Sequence, residues 1–309
     1  MIKIDLITGF LGSGKTTFIK KYASYLLKQG LNIGILENDF GAVNVDMMLL
    51  KELEGENCEL EMIAGGCDRE THRRRFKTKL IAMGMCGYDR VLVEPSGIFD
   101  VDEFFDALYE EPLDRWYEIG NVIAVVDAGL EQRLSKKAEY LLASEAAAAG
   151  CVVLSRCAEI PEEERTSVVE HLNRAMESVH CSRRFEEDVF CKDWEKLSDE
   201  DYKKFLNCGY RSEPYEKKSF PEENFTSLYF MNLEARAEEL AEAAEKIMAD
   251  SGCGWVFRIK GFGKNKEGQW MELNAARGKA ALCPIEAGQE IILVIGENLV
   301  KEKIESYFV

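Results

Sequence analysis

The stretch "GFLGSGKTTF", Gly9 to Phe18, directly follows the apolar run "MIKIDLI" and constrains the chain more than any other segment. Gly9, Gly14, Lys15 and Thr16 fit the spacing G-x-x-x-x-G-K-[ST]. In that arrangement successive backbone N–H groups wrap phosphate oxygens, the lysine reaches the outer oxygens and the hydroxyl faces Mg²⁺. Glycines let the main chain bend into the cup, and a helix opening at Lys15 adds the positive end of its dipole. Gly12, Ser13, Gly14, Lys15, Thr16 and Thr17 are therefore the candidate phosphate contacts, and Gly30 is the expected stop of the helix. An accidental glycine turn is the plain alternative, disfavoured by the strand-loop-helix context.

Downstream, apolar strand-like runs alternate with helix-like stretches: "NIGIL", "RVLVE", "NVIAVVDA" before an Ala-rich helix, and "CVVL" before a Pro-initiated acidic helix. The alternation predicts an α/β fold with a mostly parallel sheet and helices on both faces over residues 1–180. From 181 to 224 the texture becomes charged and aromatic without a clear period, which reads as a linker or insertion. Residues 225–309 then read as a smaller α+β domain: a strand in "FTSLYFMNL", a helix from Glu234 to Ser251, and strands in "GWVFRIKGF", "QWMEL" and "EIILVIG".

At 309 residues and 46% hydrophobic content, the chain has material for well-formed cores. No apolar run approaches the ~20 residues that cross a bilayer, and the N-terminus lacks a signal-peptide layout, so the cytosol is the expected compartment and no membrane partner is expected. The ten cysteines contain no C-x-x-C pair, which argues against a zinc ribbon or thioredoxin-like site. A net charge of −17 disfavours nucleic acid as a partner, because phosphate backbones repel such a surface.

Two further segments carry carboxylates where a phosphate site needs them. "ILENDFGAVNVD" follows the second strand with Glu37 and Asp39. "VLVEPSG" ends a strand with Glu94 and then Gly97, whose N–H suits a γ-phosphate. Glu94 follows three residues of buried-strand type, at the carboxyl edge where ligands of open α/β sheets bind. Glu37 and Asp39 have solvated loop carboxylates as their plain alternative.

Together with "RIKGF" and "ILVIGENL" in the second domain, these segments resemble the CobW-like P-loop GTPases over nearly the whole chain. Members of that family are metallochaperones and cofactor-assembly proteins. The resemblance implies that Lys15 neutralises phosphate charge, that Thr16 binds Mg²⁺, and that Glu37, Asp39 and Glu94 position the metal or the attacking water. Catalysis would be chiefly placement and electrostatics.

Two family motifs are altered. Where relatives carry C-x-C-C, this chain has "AGGCDRETH": Cys67 matches the first cysteine, and Arg69 and Glu70 replace the others. Cys67, Asp68, Glu70 and His72 still offer sulfur, carboxylate and imidazole donors, a candidate site for zinc or cobalt, with a buried cysteine beside solvated charges as the alternative. The overlapping basic run "RETHRRRFKTK" reads as a solvated helix face, or as a place where Arg69 or Arg73 meets phosphate or an acidic partner. Where relatives read guanine with [NT]-K-x-D, this chain has Ser155, Arg156, Cys157 and Ala158, so GTP and ATP both stay open. Glu159, one residue on, would face the other way in a continuing strand.

The leading expectation is a nucleoside triphosphatase, using GTP or ATP, whose switch movement serves delivery of a metal or metal cofactor to a client metalloprotein. The alternatives are a nucleotide-gated binding protein with little turnover and, less favoured, a P-loop kinase for a small acceptor.

Overall fold

The computed structural model describes residues 1–39, 45–64, 69–95, 101–131, 133–218, 225–276 and 278–308. The chain forms two compact units, residues 1–219 and 220–309.

In the first unit β1 (Ile2–Thr8) leads through the glycine loop into α1 (Lys15–Lys28). Phe18, Ile19, Tyr22, Ala23 and Leu26 form the buried stripe of α1 at helical spacing. The helix stops where the sequence predicts. Gly30 takes φ +80°, and the N–H groups of Gly30 and Leu31 reach back to the carbonyls of Leu27 and Leu26, a Schellman closure. There follow β2 (Ile33–Asp39), α2 (Val45–Leu50), β3 (Cys58–Ala64), α3 (Arg69–Met83), β4 (Arg90–Pro95), α4 (Val101–Leu108), α5 (Leu113–Trp116) and β5 (Tyr117–Asp127). The unit continues with α6 (Lys136–Ala147), β6 (Cys151–Ser155), α7 (Glu162–Ser178), β7 (Val189–Phe190) and α8 (Asp199–Leu206).

The seven strands make one sheet in the order β3-β2-β4-β1-β5-β6-β7, and every neighbouring pair is parallel. Ile7, Ile35, Leu92, Ile123, Val125 and Val153 pack with α1 and Phe205 of α8 in one core. Their alternating neighbours Leu6, Leu36, Val91, Val93, Val122 and Val152 are equally buried, so both faces of the sheet are covered, as a parallel sheet requires.

Residues 181–218, read from sequence as linker or insertion, belong to the first unit. β7 adds a strand beyond β6, Phe205 is fully buried against Phe18 and Phe190, and Trp194 packs edge-on to Phe18 with ring centroids 5.6 Å apart. A few aromatic anchors do what a periodic apolar stripe would do elsewhere. Charged residues between them mask the signal.

The second unit is an antiparallel sheet of β8 (Phe225–Met231), β9 (Trp255–Lys264), β10 (Trp270–Ala276), β11 (Lys279–Pro284) and β12 (Ile291–Glu297), ordered β11-β10-β9-β12-β8. It carries α9 (Ala237–Ala249) and ends in α10 (Lys301–Glu305). Leu240, Ala244 and Ile247 of α9 pack on Ile259, Leu273, Ile292 and Val294 in a core of their own. Gly261, in "RIKGF", lies where a Cβ would stand 2.1 Å from the Ile291 carbonyl, which accounts for the glycine by close strand approach.

Candidate functional site

The candidate site lies along the carboxyl edge of the parallel sheet, beyond β2, β4, β1, β5 and β6. The glycine loop joins β1 to α1 with Gly9, Gly12 and Gly14 at φ +144°, +78° and +100°. A Cβ on Gly9 would stand 2.2 Å from the Val125 carbonyl, so the loop closes down on β5 only with glycine at that point. Gly14 is the N-cap of α1, no side chain caps that end, and no acidic residue occupies its first turn. The first N–H groups of α1 and its positive dipole end thus face the loop, the arrangement that favours an anion.

Lys15 is buried and its Nζ donates to the Gly9 carbonyl at 2.8 Å, so the ammonium arches over the loop. Ser13 is also buried, and its Oγ makes no hydrogen bond among the described residues. Thr17 stands exposed on the first turn. The Thr16 hydroxyl donates to Glu94 Oε1 at 2.9 Å across the top of the sheet. Glu94 is in register with Glu37 on the neighbouring strand β2, and both residues are buried, at 5% and 3% exposure. Thr16 and Glu94, both named from sequence, therefore meet at the head of α1, and Glu37 lies in register with Glu94 on the next strand.

A further buried carboxyl, Glu145 of α6, is 2% exposed. Burial holds its pKa well above the ordinary value of 4.5, against the opposing pull of the Lys15 charge. That burial favours its neutral form.

On the other flank Ser155 ends β6, buried, with its Cβ 3.6 Å from the place a Cβ on Gly14 would take. Arg156 follows at φ +55°, bonds through Nη1 to Asp127 Oδ2, and approaches the Gly12 carbonyl at 3.4 Å. Asp127, at the end of β5, also accepts from the Gly129 N–H at 2.8 Å. The strand does not continue past Ser155. A 3₁₀ turn spans Cys157–Glu159, so the face reversal expected between Ala158 and Glu159 does not apply, and the two side chains are about 120° apart around that turn. Trp194 completes this flank. Its Nε1 donates to the Leu154 carbonyl at 3.0 Å, and its ring edge lies 3.5 Å from the Cβ place of Gly14. Neither Asp127 nor Trp194 was named from sequence. "VVDA" at a strand end was the available signal for the aspartate, and the tryptophan had none.

Among the described residues, the two members of the transition-metal constellation, Glu70 and His72, do not come together. Glu70 is exposed and pairs with Arg74, whereas His72 is 1% exposed, with burial and nearby Arg75 lowering its pKa. Two positions apart on α3 is about 200° around the helix, which sends these side chains to opposite sides. Among the described residues no group of three His, Cys, Asp or Glu side chains could hold a metal ion. Cys67, Asp68 and Gly97 lie outside the described residues, as do the side chains of Asp39 and Arg69. In the basic run Arg73 and Lys77 both bind Glu110, at 2.6 Å each, and Lys79 binds Glu61 at 2.7 Å. Arg73, Arg74, Lys77 and Lys79 of that run thus each pair with an acid of the chain itself. His171 pairs with Glu139 and His180 with Glu216, both outside this site. No helix among the described residues is long and apolar enough to cross a membrane.

Matching stretches of 131 to 134 residues make the chain similar to two proteins of Escherichia coli strain K12: the zinc chaperone YjiA, 29% identical over 134 residues, and the zinc chaperone YeiR, 30% identical over 131. The first match covers 41% of each chain, the second 42% of this chain and 39% of YeiR, so about two fifths of each relative's length is spanned. A solved structure of Zn(II)-bound YjiA GTPase from E. coli aligns over 99% of this chain and 98% of that one, with 17% identity and a TM-score of 0.35. Residues 3–182, more than half of the sequence and the part that builds the phosphate loop, Glu37, Glu94 and Arg156, match the model of the CobW/HypB/UreG nucleotide-binding domain. The chain belongs to the CobW/HypB/UreG family.

Proposed function

We propose that the chain binds a nucleoside triphosphate at the Gly9–Thr17 loop, hydrolyses it, and uses the change of state in handling a metal ion for a client protein. The observation that carries the reading is the Thr16–Glu94 contact of 2.9 Å, set beside Lys15 at the uncapped head of α1. The donor set suits Mg²⁺, which takes oxygen ligands and keeps several of its waters. Thr16, Glu94 and Glu37 would hold it directly or through water, and the ion would supply charge neutralisation at the phosphates. Gly12 to Thr16 bind and orient the phosphate chain, and Lys15 moves from the Gly9 carbonyl to phosphate oxygens. Glu94 holds the Thr16 hydroxyl in place, and Glu37 with Asp39 positions the attacking water. Ser155 and Arg156 border the base end. Switch residues after β2 and β4, Gly97 among them, would respond to the γ-phosphate.

Metal handling draws its support from the zinc chaperones that match the same nucleotide-binding part. Zinc is the first cargo to test and cobalt the second, with the client left as a metalloprotein or cofactor-assembly partner. The test is phosphate release with GTP and with ATP, with and without Zn²⁺ or Co²⁺, in the wild type and in Glu94→Gln. Hydrolysis in Glu94→Gln should fall by about 10²- to 10³-fold while nucleotide affinity changes far less, because an electrostatic group of this kind acts chiefly in the transition state. Equal losses of binding and hydrolysis would assign Glu94 a binding role. Tight nucleotide binding without phosphate release in the wild type would favour the nucleotide-gated binder.

A further inference from the structure

Four cysteines lie in two neighbouring pairs. Cys151 opens β6 and Cys157 lies just past its end, while Cys191 follows β7 and Cys208 follows α8. The Cys208 thiol lies close enough to Cys151 to raise its pKa, together with burial. Cys191 Sγ stands 3.2 Å from Cys157 Sγ. A disulfide closes at about 2.05 Å, so the second pair needs roughly 1 Å of approach between two loop residues.

We propose that Cys157 and Cys191 form a reversible disulfide by exchange with a low-molecular-weight disulfide, and that this bond slows nucleotide exchange at the phosphate loop. The second clause rests on the nucleotide-binding reading above; the first does not.

The two sulfurs have different environments, and that assigns their order of reaction. Cys191 is exposed, whereas Cys157 is 3% exposed. Burial and the Cys191 thiol push the Cys157 pKa up to about 12, which disfavours its thiolate. Cys191 therefore meets the oxidant first. Its thiolate attacks one sulfur of RSSR, forming Cys191–S–SR and releasing RS⁻. The Cys157 thiolate then attacks the Cys191 sulfur, the protein disulfide forms, and a second RS⁻ leaves. Two protein thiols are oxidised, RSSR is reduced to two RSH, and the two thiol protons end on the released thiolates.

Each end of the bond is one step from the phosphate loop. Arg156, directly before Cys157, approaches the Gly12 carbonyl at 3.4 Å. Trp194, three positions after Cys191, is hydrogen-bonded to Leu154 and packs beside Gly14. A cross-link between Cys157 and Cys191 fixes both attachments to each other, so any opening of this flank that releases nucleotide has to strain the bond.

The test uses the full chain, reduced and then equilibrated with oxidised glutathione, with disulfides mapped by mass spectrometry of unreduced peptides and release of fluorescent mant-GDP followed in parallel. The proposal expects a Cys157–Cys191 linked peptide and mant-GDP release slowed at least about tenfold, which corresponds to about 1.4 kcal/mol on the barrier to release. Reductant should restore the rate. Cys191→Ser should abolish both effects without changing release in the reduced state, and Cys208→Ser should keep both. Glutathione resting on Cys191 alone, a bond only between Cys151 and Cys208, or a Cys157–Cys191 bond with unchanged release would each overturn it. Failure of the reduced protein to bind mant-GDP would overturn the rate clause together with the nucleotide reading, while the mapped peptide judges the disulfide on its own.

Discussion

Ala158 sits exposed in the turn Cys157–Glu159, at the place where the family's [NT]-K-x-D motif would put an aspartate against guanine N1–H and the 2-amino group. The preceding Arg156 is engaged with Asp127 and the Gly12 carbonyl. Hydrogen bonds to a charged group contribute about 1.5 to 3 kcal/mol, or roughly ten- to a hundred-fold in preference, and this chain lacks that aspartate. GTP and ATP should therefore bind within about tenfold of each other, and Ala158→Asp should shift the preference toward GTP. Competitive titration checks this. A wild-type preference for GTP above roughly a hundred-fold would show that another group, Glu159 foremost, reads the base. Much of the phosphate side at this scale was legible, because glycine spacing and a Lys-Thr pair dictate one geometry. The base side was not, because Asp127 and Trp194 reach Arg156 and Gly14 only through strand order and a turn that no local pattern encodes.

At the scale of elements, the strands that position the site share a buried polar knot. Asp5 on β1 accepts from Arg90 Nη1 of β4 at 2.6 Å on both oxygens, from Tyr22 of α1 at 3.0 Å and from the Asn121 N–H of β5 at 2.9 Å. The register between β1 and β5 shifts between Ile4 and Leu6, and a Cβ on Gly120 would stand 2.3 Å from Asp5 Oδ1, so the glycine makes room for the carboxylate at that irregularity. Burial still raises the Asp5 pKa, with Arg90 the largest opposing influence. Removing Arg90 leaves a buried carboxylate without its ion partner, and Arg90→Met should cost about 3 to 5 kcal/mol in chemical denaturation. A cost under about 1 kcal/mol, the range of an exposed pair, would mean that Asp5 is neutral in the fold. The central strands β1, β2, β4, β5 and β6 were readable from their continuous apolar runs. β3 alternates acidic with apolar residues at the sheet edge, β7 has two residues, and β11 is mostly exposed, so none of these carries a run that stands out.

For the whole molecule, each unit has its own core and its own sheet, and every described candidate phosphate or metal contact lies within residues 1–219. A chain ending after residue 219 should fold and bind nucleotide with affinity within a few-fold of the full chain, since interdomain surfaces inside one chain are commonly modest. Loss of cooperative unfolding in that fragment would show that the second unit supports the first. The account as a whole rests on a working phosphate loop, and Lys15 is its most exposed dependence. Mg²⁺-dependent phosphate release by wild type and Lys15→Ala, with circular dichroism to confirm the fold, addresses it directly. The account predicts release in the wild type and a loss of about 10²-fold or more in a normally folded Lys15→Ala, the order expected when a preorganised charge at the transferring phosphoryl is removed. Undiminished phosphate release by Lys15→Ala would contradict it.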